Sequence, residues 1–102
     1  MDKYRVLLSP KAKTMLDKQI EYLAQISSDA AVKLKNAFLN EIRSLETMPL
    51  RYPLLQSEYI QSGKYRKMLV ERRYLVIYQM KENTVYVDFI VDCRSNYGWL
   101  FK

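Results

Sequence analysis

Two short runs concentrate the ionic chemistry of this chain. "KYRKMLVERRY", Lys64 to Tyr74, sets Lys64, Arg66, Lys67, Arg72 and Arg73 around a single carboxylate, Glu71, and the later "VDCR" ends on Arg94. A guanidinium stays protonated near neutral pH, and its planar fork matches phosphate or carboxylate oxygens. These arginines can therefore hold an anion or stabilise developing negative charge, but they cannot move a proton. Metal-free RNA cleavage by the neighbouring 2′-hydroxyl needs such cations for its transition state, a base for the hydroxyl proton and an acid for the leaving oxygen. The chain has no histidine, so the proton work would fall to Glu71, Tyr74, Tyr97 or a lysine of lowered pKa, none of them a ready base unperturbed. The candidate catalytic set, if the protein is a ribonuclease, is Arg66, Arg73, Arg94, Glu71 and Tyr97. The candidate set for binding nucleic acid or a target is Lys64, Arg66, Arg72, Arg73, Tyr74 and Arg94. Taken singly, each cation competes with a plainer reading as a solvated strand residue or a guard against edge pairing; as a set they point to an anionic partner. Tyr74, Tyr78 and Tyr86 could stack bases on a sheet face, although strand tyrosines more often pack into core or rim.

Composition narrows the classes. The 102 residues are 49% hydrophobic and 27% charged with two glycines and three prolines, which is the make-up of one folded domain spanning 1–102. Lysine and arginine number 17 against 11 acidic residues, a net charge of +6, which suits an acidic or polyanionic partner or simple solubility; the placement of the charges decides between them. Cys93 is the only cysteine, so neither an intrachain disulfide nor a Cys/His zinc cluster can form, and no metal or cofactor is expected. Cys93 itself reads as a small buried hydrophobe. "DKYRVLLSP" after Met1 lacks a signal-peptide core, and no apolar run approaches the roughly 18 residues of a membrane span. A cytoplasmic protein without membrane contact is expected.

These side chains must be positioned by a small set of elements. "KYRVLL" alternates as a short strand. Ser9-Pro10 is an N-cap followed by a first-turn proline, and Ala12, Met15, Leu16, Ile20, Leu23 and Ile26 then form the apolar stripe of a first helix. "SSD" at Ser27 to Asp29 caps a second helix with Ala31, Leu34, Phe38, Ile42 and Leu45 on one face and Pro49 as its stop, joined to the first through two or three residues. Pro49 to Lys64 has no clean period and reads as a long surface connection. "YRKMLV", "RYLVIYQM" and "TVYVDFIV" predict an antiparallel meander whose Val85, Val87, Phe89 and Val91 face the helices. The tail "SNYGWLFK" packs as coil or one helical turn, its Trp99 and Phe101 either folding back or meeting a partner. The class is α+β, in the order β-α-α-β-β-β, an antiparallel sheet with a helical hairpin on one face. Arg66, Arg73 and Arg94 are expected on a common rim.

Two stretches, "DAAVKLKNAFLNEIRSLETMPLRYPLL" and "YRKMLVERRYLVIYQMKENTVYVDFIVDCR", resemble the RelE/ParE superfamily of toxins from type II toxin–antitoxin, or plasmid stabilisation, systems. The likeness covers roughly residues 3–97. It implies a cognate acidic antitoxin as partner, growth inhibition when the toxin is free, and one of two targets. RelE-like members cleave messenger RNA on the ribosome, whereas ParE-like members poison DNA gyrase without nuclease chemistry. Arg66 keeps the charge of a lysine in the RelE-like pattern, Met68 and Leu75 stand where that pattern has a lysine and an arginine, and Arg94 matches its last-strand arginine. Tyr97 matches a later catalytic tyrosine loosely. The two missing cations and the "MPLRYPLL" loop favour the ParE-like branch; a RelE-like endoribonuclease and a non-toxic nucleic-acid-binding module are the alternatives.

Overall fold

One serine both ends the first strand and starts the first helix. In the computed structural model, which describes residues 3–95, Ser9 Oγ accepts the Ala12 N–H at 2.9 Å and donates to the Asp88 carbonyl at 3.2 Å. Pro10 takes the first helical position, where its missing N–H leaves nothing unpaired. β1 (Arg5–Leu8) thus leads into α1 (Pro10–Ile26), and α2 (Ser28–Arg43) follows after a single residue, Ser27, rather than two or three. One extended serine suffices because it serves both ends. Its N–H donates to the Leu23 carbonyl at 2.8 Å to close α1, and its Oγ accepts from Ala30 N–H at 3.1 Å to open α2. The α-helical path stops at Arg43, before Pro49, and two 3-10 turns, Ser44–Glu46 and Pro49–Arg51, carry the chain away.

β2 (Arg66–Val70), β3 (Tyr74–Lys81) and β4 (Thr84–Asp92) form the expected antiparallel meander. β1 joins its outer side in parallel with β4, so the sheet of order β1-β4-β3-β2 is mixed. Both helices cover one face. Ala12, Leu16, Leu34, Phe38 and Ile42 pack there against Met68, Val70, Tyr74, Val76, Tyr78, Val85, Val87 and Ile90. Phe38 is fully buried, and truncating such a ring to alanine costs about 3–5 kcal/mol.

Val85 and Val87 face the helices as predicted, but Phe89 and Val91 do not. Ile77 pairs with Phe89 and Tyr78 with Val87, which leaves Asp88 as the extra residue of a β-bulge. A bulge advances the side-chain alternation by one position. Past it, Ile90 lies on the helix side, whereas Phe89 and Val91 join Leu55, Tyr65, Leu75 and Ile77 in a second cluster on the far face. The connection before β2 covers that cluster. Leu55 N–H donates to Tyr65 O at 2.8 Å and Lys67 N–H to Pro53 O at 3.0 Å, so the segment lies along the outer edge of β2, and Pro49 and Leu55 are buried rather than on the surface. Such cover shields the start of an otherwise open edge strand.

Candidate functional site

The β2–β3 turn is tight and strained. Glu71 and Arg72 adopt φ of 53° and 58°, the left-handed region in which L side chains are disfavoured, and Arg73 N–H closes the turn on the Val70 carbonyl at 3.2 Å. Cys93 N–H donates to the Arg73 carbonyl at 2.8 Å, which ties the end of β4 to this turn and brings Arg94 beside Arg73. Asp92 stands between them. Its Oδ2 accepts Arg73 Nε at 3.1 Å and Arg94 Nη2 at 3.0 Å, while Oδ1 accepts Arg94 Nε at 3.2 Å and the Arg94 N–H at 2.9 Å. The Arg94 guanidinium is the main cause holding the Asp92 carboxyl well below the usual carboxylate range, with Arg73 adding to it, and Asp92 in turn raises Arg94. Asp92 pairs across with Tyr74, a residue of the helix-side core, so the bulge at Asp88 is what puts this carboxylate on the helix side.

Next to Arg73 a cleft of about 330 Å³ opens between the helical hairpin and the turn, lined by Leu23, Ala30, Lys33, Leu34, Glu71, Arg73 and Tyr74. Lys33 of α2 thereby joins the rim. Its cations are Lys33, Arg72, Arg73 and Arg94, its carboxylates Glu71 and Asp92, and Arg72 and Glu71 are exposed at the tip. The surplus of positive charge suits an acidic chain. For phosphoryl chemistry the arrangement is poor. The point at which two guanidiniums could clamp one phosphate is filled by the protein's own carboxylate, and Glu71 has no ion-pair partner to orient it among the described residues.

Arg66 is a correction. It does not join this rim, because β2 runs antiparallel to β3 and its first residue lies four positions, about 13 Å at ~3.3 Å per residue, from the hairpin tip. Arg66 Nη1 donates instead to the carbonyls of Tyr52 at 2.5 Å and Leu50 at 3.3 Å. Lys64 lies at the same end, its amine 5.3 Å from the Tyr65 ring centroid. Tyr74 is a second correction: it is buried against Phe38, centroids 5.4 Å apart, and offers no face to a base, although Arg73 lies over its ring at 5.2 Å. Tyr78 is fully buried with its hydroxyl donating to Pro49 O, and desolvation pushes it up to about 12. Tyr97, with Trp99 and Phe101, lies outside the described residues. Cys93 is half-buried against the far-face cluster.

Two rim residues, Asp92 and Lys33, escaped the reading of the sequence. The Asp92-x-Arg94 spacing was the available signal for the first; nothing local singles out Lys33 from Lys35, the other lysine of α2. A further polar group lies under the far-face cover, where Asp88 Oδ2 accepts from Tyr65 OH at 2.9 Å and Gln79 Nε2 at 2.6 Å. Burial first, then Asp88, pushes the Tyr65 phenol up to about 12. Among the described residues no group of His, Cys, Asp and Glu side chains is placed to hold a metal ion, and no helix is long and apolar enough to cross a membrane.

The family model for the ParE toxin of the type II toxin–antitoxin system parDE matches residues 6–97. In fold the chain is similar to a structure of the chromosomal ParDE toxin–antitoxin system from P. aeruginosa, with a TM-score of 0.71 at 17% identity over 88% of this chain and 96% of that one. It is also similar to the solution structure of a conserved hypothetical protein from Helicobacter pylori, with a TM-score of 0.53 at 17% identity over 90% and 97% of the two chains. No curated protein matches the sequence. Identities this low speak for the fold alone, but the family match runs from the first strand past the Asp92–Arg94 rim, and the chain belongs to the ParE toxin family of type II toxin–antitoxin systems.

Proposed function

We propose that this toxin acts by binding rather than by cleavage: in the cytoplasm it inhibits DNA gyrase, and a cognate acidic antitoxin encoded beside it neutralises it. The observation that carries the reading is Asp92 lodged between Arg73 and Arg94, which cancels the pair as a phosphate clamp. The positions at which a RelE-like pattern has further cations are buried apolar residues, Met68 and Leu75, and Tyr74 and Tyr78 are core residues rather than stacking surfaces. The exposed remainder of the rim, Arg72 and Lys33 with the outer guanidinium atoms of Arg73 and Arg94, suits the acidic, initially disordered tail of an antitoxin that folds on contact.

Expression of the protein alone should arrest growth with a DNA-damage response and altered plasmid supercoiling, and purified protein should inhibit gyrase in a supercoiling assay. Messenger-RNA 5′ ends mapped after induction should show no new cuts. Cuts within translated codons that vanish in Arg73→Ala would replace this reading with a ribosome-dependent endoribonuclease. Normal growth at verified soluble expression, joined to salt-dependent binding of bare nucleic acid, would point to a nucleic-acid-binding module instead.

A further inference from the structure

The two edges of the sheet are treated differently. The segment before β2 bonds along the start of that strand through Leu55 N–H and Lys67 N–H, whereas β1 has β4 on one side and no strand on the other. Tyr4 N–H is taken up by the Glu46 carbonyl at 2.9 Å, and Arg5 and Ser9 turn their N–H groups inward, to Asn83 O and Val87 O at 2.9 Å each. The hydrogen-bonding groups of successive strand residues point to opposite sides, so those of Val6 and Leu8 point outward. Among the described residues no backbone group meets them there. A groove of about 550 Å³ runs along this edge between β1 and the C-terminal half of α2. Leu39 and Ile42 line it from the helix and Leu7 from the strand, Leu7 being 40% exposed and Leu39 45%. Lys3, Arg5 and Arg43 stand along it against one carboxylate, Glu46, and among the described residues none of the three cations is in an ion pair. Tyr22, Ile26 and Val32 are at least as exposed, but they stand on helices, whose main chain is paired within the helix, and offer side chains alone. Only at β1 do apolar surface, unpaired main chain and uncompensated positive charge coincide among the described residues.

We infer that the outer edge of β1 takes an extended segment of a partner protein as a further strand, one in which apolar and acidic residues alternate. The outward N–H and C=O groups of Val6 and Leu8 fix the occupant as main chain in extended form. Strand alternation then sends every second side chain of the segment to the helix side, over Leu39 and Ile42, and the others to the far side. Arg5 and Leu7 lie on that far side, since Val6 and Leu8 pack with the helix-side core. The carboxylates are drawn by Lys3, Arg5 and Arg43. Charged residues alone would serve as a guard against pairing, but a guard does not leave Leu7 open between the two residues with free main chain. A second copy of this chain is the poorer occupant, because it would bring its own Lys3, Arg5 and Arg43 to the same groove. Leu8 pairs with Val87, five residues before Asp92, about 16 Å at ~3.3 Å per residue, so this edge is a site apart from the Arg73–Arg94 rim.

The probe is a synthetic peptide of alternating valine and glutamate, with a valine–lysine peptide of the same length as its counterpart, each titrated into the full chain and followed by NMR amide shifts and hydrogen exchange. The glutamate peptide should bind with a Kd below about 1 mM and weaken as salt is raised. At saturation it should slow exchange of the Val6 and Leu8 amides about tenfold or more. The lysine peptide should not bind. Arg5→Gln combined with Arg43→Gln should weaken the glutamate peptide about five- to tenfold, the loss of two exposed ion pairs, at a nearly unchanged thermal midpoint. Leu39→Ser, which leaves every charge in place, should weaken it as well. No binding of the glutamate peptide, equal binding of both peptides, a bound state in which Val6 and Leu8 exchange as in the free protein, or a double variant that binds as well as wild type each overturns the inference. Free protein that is dimeric, with Val6 and Leu8 protected until it is diluted, would assign the edge to a second copy and overturn it too.

Discussion

Replacing Asp92 by asparagine isolates the charge that neutralises the rim. Asparagine keeps the shape and one acceptor oxygen, so the Arg94 N–H can remain bonded while the ionic part is lost. The Arg73–Asp92 contact is 3.1 Å with the two side chains 38% and 16% exposed. A pair this open to solvent contributes at most about 1 kcal/mol after screening, and Arg94 stands too far into water to add to that figure. The variant should be destabilised by about 0.5–1 kcal/mol at pH 7, a fall in thermal midpoint of about 2–8 °C for a domain of this size. The sign of the pH dependence follows from the direction of the shift. Asp92 is held below its unfolded value of 3.8, so its contribution is complete above that value and is lost progressively as pH falls toward the folded one. The gap between wild type and variant should be constant from about pH 7 to 5 and close below about 4. The same substitution releases two guanidiniums, so binding to a single-stranded oligonucleotide should tighten. Its salt dependence should steepen by up to about 1.4, two further phosphate contacts at roughly 0.7 each. A midpoint gap as wide at pH 3 as at pH 7, or an unaltered salt slope, would show that Asp92 does not mask Arg73 and Arg94.

Other substitutions probe the framework. Glu71→Asn with Arg72→Gly supplies residues that tolerate the left-handed turn and should stabilise the fold by about 1–2 kcal/mol in denaturant unfolding, after allowing for the entropy of glycine; a loss of stability would mean the turn is not strained as described. Tyr78→Phe strands the Pro49 carbonyl in the interior and should cost about 1–3 kcal/mol, with the loop around Arg51 exchanging its amide protons faster; neutrality would remove the hydroxyl as an anchor. Tyr65 and Tyr78, raised from 10.0 to about 12, should be silent in an ultraviolet titration until well above pH 10. Because both favour the neutral phenol in the folded state, the stability they contribute is present below pH 10 and lost between 10 and 12. A tyrosine titration complete by pH 10.5 in protein that is still folded would contradict their burial.

What the sequence made legible was whatever depends on local spacing. Ser9-Pro10, the apolar stripes through Leu16 and Phe38, and the meander after Arg66 all stand where period and cap chemistry predict them. The misreadings share a dependence on how elements come together rather than on local spacing. Phe89 and Val91 change face because Asp88 is inserted into the ladder, and no run of alternating residues announces a bulge. Arg66 is a near neighbour of Arg73 in sequence but not in space, since an antiparallel hairpin sends the start of one strand to the end remote from its turn. Tyr74 and Leu55 were underestimated because burial on the two sides of a covered sheet follows from which segments return to cover it, and the connection before β2 has no period of its own.

The bulge at Asp88 also bears on why charge is neutralised at one end of the sheet and why its far face needs cover. In an unbroken ladder Phe89 would be in phase with Val87 on the helix side, and Asp92 would turn to the far face, away from Arg73. The two arginines would then stand together without a carboxylate between them. Shifted by one residue, β4 instead delivers Asp92 to the helix-side tip and Phe89 and Val91 to a far face that needs cover. That cover comes from the chain leaving the Pro49–Arg51 turn, whose Leu55 closes the second cluster. To reach it, the turn must be pinned beside the start of β2, which is where Arg66 and Tyr78 hold its carbonyls and leave Met48 and Leu50 outside. One inserted residue thus sets both the compensated charge at the β2–β3 tip and the apolar far face that the connection before β2 covers.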